Sequence, residues 1–404
     1  MRAVFVTGLG LVSPLGNDID TAFDAAVAMR SAVRPLTALG LPEQIGATAA
    51  FDASRWFTRM QLTGVDRVSQ FAVAAASLAV GDAELDPADW DGERVGIYLG
   101  CGIGGSDAID AAYKQLYGEG RRVPPLTVVA SMINAPAAHV SVRLGIRGPA
   151  MTYAMACASG AAAIGEALKA LRCGEVDIAI AGGAEAPLSF GTVKAWDALR
   201  TLAAPDASDP ARSCKPFSAN RSGLVLGEGA AMLVLEGADR LGSRRPRARL
   251  IGYGNASDAT HITKPDPRGQ IAAMSRALRD AGMAPPQVGY VNAHGTATQA
   301  GDSTETRAIR AVWGDAADRL AVSSTKAVHG HLLGAAGALE LALTIGALER
   351  GVLPPTAHLD QADPDCDLDY LAEGPRTLSG LRAAMSNSFG FGGSNVSLIA
   401  AKAD

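Results

Sequence analysis

Short apolar runs rich in β-branched residues alternate with Ala- and Leu-rich stretches of helical period along the whole chain, and this alternation limits the fold more than any other feature. The runs at 3–7, 95–99, 177–181, 232–235, 250–253, 288–292, 320–323, 383–386 and 396–400 read as strands. The stretches at 158–171, 269–281, 305–312 and 332–348 read as helices. Strands interleaved with helices build α/β layers, not a sandwich or a bundle. At 404 residues the chain exceeds the ~250–300 at which one core stops growing, so two halves are expected. The best internal boundary is the polar, basic run Gly-Ala-Asp-Arg-Leu-Gly-Ser-Arg-Arg-Pro at 237–246, which divides the chain into 1–245 and 246–404.

Composition removes whole classes of function. A hydrophobic share of 48% with 19% charged residues describes a globular chain with a large core, not a disordered one. A net charge of −5 is a poor footprint for nucleic acid. No apolar run reaches the ~18 residues of a membrane span, and the longest, 332–348, is broken by Glu340. The sequence opens directly into a strand-like run, so no secretory leader is expected. Five scattered cysteines without a Cys-x-x-Cys pair fit a reduced, cytoplasmic protein without a disulfide framework. The 46 glycines against 5% aromatics imply many turns and close backbone contacts.

The two halves echo each other weakly. Arg2-Ala-Val-Phe-Val-Thr-Gly8 and Arg247-Ala-Arg-Leu-Ile-Gly-Tyr-Gly254 each give a basic lead-in, a strand and a glycine turn. Val95-Gly-Ile-Tyr-Leu-Gly-Cys-Gly102 and Val288-Gly-Tyr-Val-Asn-Ala-His-Gly295 each pair a strand with a glycine-flanked loop. Taken alone, the echoes fit duplication or chance equally.

Gly100-Cys-Gly102-Ile-Gly-Gly105 matches the glycine pattern of a dinucleotide site. The fingerprint also needs an acid about 20 residues on, and 120–130 holds none, so the glycines read as packing turns. Cys157 lies between a strand-like segment and an Ala-rich helix, which places its sulfur at a helix N-terminus where the dipole favours thiolate. A free cysteine is more often a small buried apolar residue, but the flanking Ala and Gly let a substrate carbonyl approach the backbone. His294, in Val291-Asn-Ala-His-Gly-Thr-Ala-Thr298, follows a strand, and His331 lies in a Gly-rich turn before an apolar helix. His329 and His331 have no third ligand at a recognisable spacing, so no metal is expected. Glu340 on that helix is costly to bury without a partner, and Lys326 is the nearby cation. Ser386-Asn-Ser-Phe-Gly-Phe-Gly-Gly-Ser-Asn395 reads either as a simple hairpin or as a backbone donor held over a site beside an aromatic gate.

Together these residues resemble the β-ketoacyl-acyl carrier protein synthases of the thiolase superfamily, and most closely their type II elongation enzymes. The resemblance runs from Val6-Thr-Gly-Leu-Gly-Leu-Val-Ser-Pro-Leu-Gly16 to Asn387-Ser-Phe-Gly-Phe-Gly-Gly-Ser-Asn395. Its specific motifs are Ala156-Cys157-Ala-Ser-Gly, His294-Gly-Thr-Ala-Thr, and Lys326 with Gly330-His331-Leu-Leu-Gly-Ala-Ala-Gly. The initiating enzymes of the family carry Asn in place of the second histidine.

The resemblance implies an α/β thiolase-like fold, duplicated and five-layered (αβαβα), which dimerises along an edge strand. It implies that Cys157 takes an acyl chain from a carrier's phosphopantetheine and that malonyl-carrier protein then loses CO2 and attacks it. By the same resemblance, the N–H groups of Cys157 and Phe389 form an oxyanion hole, Phe389 gates the pocket, and His294 and His331 stabilise the enolate. Lys326 orients the second histidine, Glu340 fixes its helix, Thr296 and Thr298 hold the pantetheine amides, and Ile103 and Trp196 line the acyl tunnel. Arg121 and Arg122 dock the carrier. No cofactor beyond the carrier's own arm is implied, and the expected partners are an acyl carrier protein and a second ketosynthase-like subunit, identical or of the chain-length-factor kind.

Two departures stand out. Met60-Gln-Leu-Thr-Gly-Val65 replaces a usual basic cluster before Asp66-Arg67, and the loop Ala203-Ala-Pro-Asp206 lacks another basic position. A thinner positive surface points to a dedicated secondary-metabolite or polyene carrier. Cys157 with both histidines argues against the non-catalytic chain-length factor. A thiolase would need a second catalytic cysteine, and the one late candidate, Cys366, sits among Asp363, Asp365, Asp367 and Asp369, which would raise its pKa.

Overall fold

In the computed structural model, which describes residues 2–403, the N-terminal part of the chain contributes five strands to the main sheet. They are β1 (Val4–Val12), β2 (Val95–Gly100), β3 (Ala150–Tyr153), β4 (Ile178–Glu185) and β5 (Gly229–Gly237). The C-terminal part adds β6 (Ala248–Ser257), β7 (Tyr290–Asn292), β8 (Ala321–Ser323), β9 (Ala383–Gly390) and β10 (Ser394–Lys402). Their order is β8-β7-β9-β10-β6-β1-β5-β4-β2-β3, so each half repeats the order third, second, fourth, fifth, first. Pairing directions repeat as well. Third and second strands are parallel, as are second and fourth, whereas fifth is antiparallel to both its neighbours. The weak echoes in sequence were therefore equivalent strands: β1 with β6, and β2 with β7. The seam between halves is short, Val4 to Val6 against Leu250 to Ala248.

Three helical layers enclose the two half-sheets. The outer layer on the first half holds α1 (Arg67–Asp82), which packs with Val95, Ile97, Ile180 and Met232. Between the half-sheets lie α2 (Ser159–Cys173) and, later in the chain, the helix at 336–350. The outer layer on the second half holds α3 (Pro267–Ala281) and α4 (Gln299–Trp313), against Val291, Val322 and Met385. The central helix α5 (Ala336–Arg350) is buried on every side from Ala336 to Leu348, which explains why its sequence is apolar all round.

The glycines after the first strand of each half do not turn the chain. β1 runs on through Gly8 and Gly10, and β6 through Gly252 and Gly254. A Cβ at Gly8 would lie 2.7 Å from Ala83 N at the end of α1, and one at Gly254 would lie 2.6 Å from Ala277 N in α3. Bare backbone is what lets each outer helix reach its sheet.

Helix ends follow their sequences. Asp66 and Asp266 accept from Val68 N and Arg268 N, and Pro267 opens α3. Gly174, Gly282 and Gly351 close α2, α3 and α5 in the left-handed region. Among the described residues, no helix is long and apolar enough to cross a membrane.

Candidate active site

The site forms where the parallel strands of both halves end, with Cys157 supplied by the first half and His294, His331, Lys326 and Glu340 by the second. Cys157 stands between β3 and α2, two residues before the helix begins. Ala156 takes a positive φ of 48°, an unusual conformation for a residue with a side chain, and turns the chain sharply into the helix. Ser159 holds the turn: its hydroxyl donates to Ala156 O at 2.6 Å and accepts from Met155 N at 2.8 Å. Gly100 at the end of β2 is needed too, because a Cβ there would lie 2.5 Å from Gly160 Cα.

His294 follows β7, and its loop is pinned by buried Glu305 of α4, which accepts from His294 N and Gly295 N at 2.8 Å each and from Asn387 Nδ2 at 3.2 Å. Ser324 Oγ donates to Gly295 O at 2.7 Å. His331 lies beyond β8, with its backbone N–H donating to Val225 O at 2.6 Å. Among the described residues its ring nitrogens have no hydrogen-bond partner, and neither has His294 Nδ1. The two imidazoles meet edge to face with centroids 5.4 Å apart. The sulfur of Cys157 and one nitrogen of each ring lie within 4.8 Å of one another.

Lys326 and Glu340 form an ion pair with side chains 1% and 0% exposed. Burial pushes the Glu340 carboxyl up to about 7, against the pull of Lys326. His294 and His331 are held well below the usual imidazole range, first by burial and then by the Lys326 charge, so both are neutral at physiological pH. The same ammonium weighs against a divalent cation on the Cys157, His294 and His331 trio, whose spacing alone would suit one. His329 is not part of that trio: its Nε2 lies 3.0 Å from Thr325 Oγ1.

Two sequence expectations change. The dipole at the start of α2 does not make Cys157 a thiolate: burial pushes its thiol up to about 12, outweighing the Lys326 charge and two backbone N–H groups. Those N–H groups belong to Phe391 and to Cys157 itself, so the backbone donor is Phe391 and not Phe389. The reason is strand geometry. Phe389 still lies in β9, paired with Asn395, whereas Phe391 lies in the turn beyond it. Gly390 makes the approach possible, since a Cβ there would sit 3.1 Å from Cys157 N. The Phe389 ring is 6.1 Å from His294 and lines the cavity, while Phe391 stacks on Trp196 at 5.9 Å.

Ile103 is not among the residues lining the cavity at Cys157; it is 39% exposed, and its N–H donates to Glu185 Oε1 at 3.1 Å. Cys366 lies outside the cavity, and its thiol is pushed up to about 11, the direction expected, with burial the larger cause and Asp363 a smaller one.

The cavity at Cys157 measures about 200 Å³. Thr296, Thr298 and Trp196 line it, and the two threonine hydroxyls lie 3.1 Å apart. Arg121 and Arg122 are exposed on a loop outside it, Arg121 paired with Glu119 at 3.2 Å.

Sequence reasoning missed the segment 258–265 that forms the cavity rim. Its Ile262 O accepts from Gly392 N at 2.6 Å, tying the rim to the turn that reaches Cys157. It also missed Glu185 and Glu305, buried carboxylates that hold backbone and not substrate. Glu185 accepts from Gly102 N at 2.7 Å and from Gly334 N at 3.0 Å, bracing one half against the other. The signal for Glu185 was an acid in an apolar, small-residue context, the argument applied to Glu340 alone, whereas Glu305, beside Asp302 and Arg307, carried no such signal.

Comparison with known proteins agrees with this arrangement. The family model described as "Beta-ketoacyl synthase, N-terminal domain" matches residues 1–240, and "Beta-ketoacyl synthase, C-terminal domain" matches 247–360. The chain is 42% identical over 402 residues to Nodulation protein E of Rhizobium meliloti, covering 98% of each chain. It is 39% identical over 407 residues to 3-oxoacyl-[acyl-carrier-protein] synthase 2 of Staphylococcus aureus (strain N315), again covering 98% of each. Among solved structures, the ishigamide ketosynthase/chain length factor superposes with a TM-score of 0.91 at 32% identity, covering 99% of both chains. Family models and relatives alike span the Cys157 half and the His294–His331 half, and the chain belongs to the β-ketoacyl synthase family.

Proposed function

We propose that this chain is a 3-oxoacyl-[acyl-carrier-protein] synthase, which condenses an acyl chain held on Cys157 with malonyl-carrier protein. One observation carries the reading: a buried thiol at a helix start, two neutral imidazoles within 4.8 Å of it, and a backbone N–H from Phe391 at the sulfur. The name of the Staphylococcus aureus relative supports the reaction class.

In the first half-reaction the sulfur attacks the acyl thioester. Because the thiol is protonated at neutral pH, its proton must leave as the bond forms, by way of a neutral imidazole to the departing arm thiol. The N–H groups of Cys157 and Phe391 hold the oxygen of the tetrahedral adduct. In the second, the malonyl thioester loses CO2, and its enolate oxygen accepts from the N–H of His294 and of His331. The enolate carbon attacks the acyl-Cys157 carbonyl, the 3-oxoacyl product leaves on its carrier, and the released thiolate takes a proton from solvent. Neutral imidazoles serve here because a donor, not a strong base, is needed. Lys326 and Glu340 keep both rings neutral and in place. Thr296 and Thr298 bind the arm, Phe391 with Trp196 closes the cavity, and Arg121 and Arg122 meet the carrier.

The substrates travel on the carrier's phosphopantetheine, and the reaction needs no further cofactor. We place the protein in the cytoplasm, consistent with five unpaired cysteines, and take 1–245 and 246–404 as its two halves. A second subunit is expected on the outer edge of β3, where Met151 is exposed; Val128, Val129 and Met132 are exposed apolar side chains as well. That subunit is either a second copy or, as in the ishigamide ketosynthase/chain length factor pair, a distinct one. A chain-length-factor-like role for this chain itself is the competing reading. Incubation with octanoyl-carrier and malonyl-carrier decides between them: 3-oxodecanoyl-carrier with one CO2 per turnover is expected. A folded dimer that yields no product with any acyl carrier would make the partner-subunit reading the better one.

A further inference from the structure

The rim segment and the start of α3 carry two polar groups on the cavity that nothing among the described residues satisfies. Lys264 is exposed on the rim, and among the described residues its ammonium makes no ion pair or hydrogen bond. It is also the one Lys or Arg among the residues lining the cavity. Its neighbours are already committed to each other: Asp266 pairs with Arg268 at 2.7 Å, and Asp258 accepts from Asn395 Nδ2 at 2.7 Å and from Asp266 N at 3.0 Å. The backbone beneath Lys264 is fixed, because His261 Nδ1 accepts from Thr263 N and Lys264 N at 3.1 Å each. Deeper in, Gln270 lines the same cavity with only 2% of its surface exposed, and its Oε1 finds no donor. A buried amide oxygen without a donor is uncommon in a folded protein and marks a place where a ligand supplies one.

The ligand that satisfies both groups has an anion at its outer end and an N–H donor farther in. Resting on the condensing-enzyme reading above, we propose that Lys264 and Gln270 form a recognition track for the phosphopantetheine arm. The Lys264 ammonium takes the phosphate at the rim, and the Gln270 carbonyl oxygen takes an amide N–H as the arm descends toward Cys157. The same arm occurs on a carrier protein and on coenzyme A, and the track reads the chemistry the two share.

The test measures kcat/KM for acylation of Cys157 by four octanoyl donors: the carrier protein, phosphopantetheine, pantetheine, and ethanethiol. Pantetheine lacks only the phosphate, and the ethanethiol ester lacks the amides as well. The wild-type preference for octanoyl-phosphopantetheine over octanoyl-pantetheine should fall about tenfold in Lys264→Ala and further in Lys264→Glu. The preference for octanoyl-pantetheine over the ethanethiol ester should fall several-fold in Gln270→Leu. Both readouts are ratios within one protein, so a loss of folded material cancels. Ratios unchanged from wild type overturn the track. Equal losses with carrier and phosphopantetheine donors assign the anion to the arm, whereas a loss confined to the carrier would assign Lys264 to the carrier surface and overturn its phosphate role. No acylation of wild type by any donor would overturn the condensing reading itself, and the track with it.

Discussion

At the scale of single residues, the site depends on keeping ionisable groups uncharged in a dry interior. His294 and His331 titrate well below 6.5 in the folded chain, and burial brings His329 down to about 3. In the unfolded chain each regains an ordinary value near 6.5 and binds a proton that the folded form refuses. Their contribution to stability is therefore complete above about pH 6.5. It is lost on acidification through that value toward the folded ones, at up to ~1.4 kcal/mol per pH unit for each histidine. Glu185 and Glu340, pushed up to about 7, titrate with the opposite sign, so the comparison must be differential. Urea unfolding at pH 5 and pH 7 should show a smaller acid-side loss for His331→Asn than for wild type; equal losses would contradict a buried neutral His331. Lys326 and Glu340 invite a second experiment. Removing one partner, as in Lys326→Met, leaves an uncompensated buried carboxyl and should cost about 3–5 kcal/mol in the same assay. The double change Lys326→Met with Glu340→Leu should recover much of that loss, and a double variant no more stable than the single would show that the cost is not electrostatic. The sequence pointed to this pair, since an acid within an apolar run needs a partner. It pointed to the wrong phenylalanine because Phe389 and Phe391 are two residues apart with the same side chain, and only the place where pairing with β10 ends separates them.

At the scale of elements, the nine strands and four helices read from the sequence are all present, because short apolar β-branched runs alternate with stretches of helical period, with ends shifted by up to six residues; β3 and α1 went unread. The glycines in β1 and β6 were misread as turns for a physical reason: in sequence, a glycine that bends the chain looks the same as one that admits a neighbouring helix. Gly8→Ala and Gly254→Ala test the difference, since each Cβ would meet backbone of the packed helix. Each should destabilise by about 1–3 kcal/mol through overpacking in thermal or urea unfolding. A neutral or stabilising result, as expected for an alanine placed in an unstrained open strand, would contradict the close approach. The rim at 258–265 was invisible for a different reason. It has no periodicity, and its place on the cavity comes from long-range hydrogen bonds to the turn at 391–393, which no local pattern encodes.

At the scale of the whole molecule, a repeat that was only suggestive in sequence is plain in topology, because strand order persists where side chains have diverged. Duplication also explains why the chemistry is shared: the thiol comes from the end of the third strand in one half, and Lys326 and His331 follow the third strand in the other. The outer edge of β3 is a row of unpaired backbone groups beside exposed Met151, which is 46% accessible. Met151→Asp should shift the protein from dimer toward monomer in sedimentation velocity, and an unchanged dimer would place the contact elsewhere. Acyl-chain length was not legible, since it depends on which side chains close the tunnel. The central claim is that Cys157 accepts the acyl chain. It is tested most directly by intact mass after incubation with an octanoyl donor, wild type beside Cys157→Ala. The account predicts one octanoyl increment on wild type and none on the variant. An adduct on both, or on neither while the protein remains a folded dimer, would contradict it.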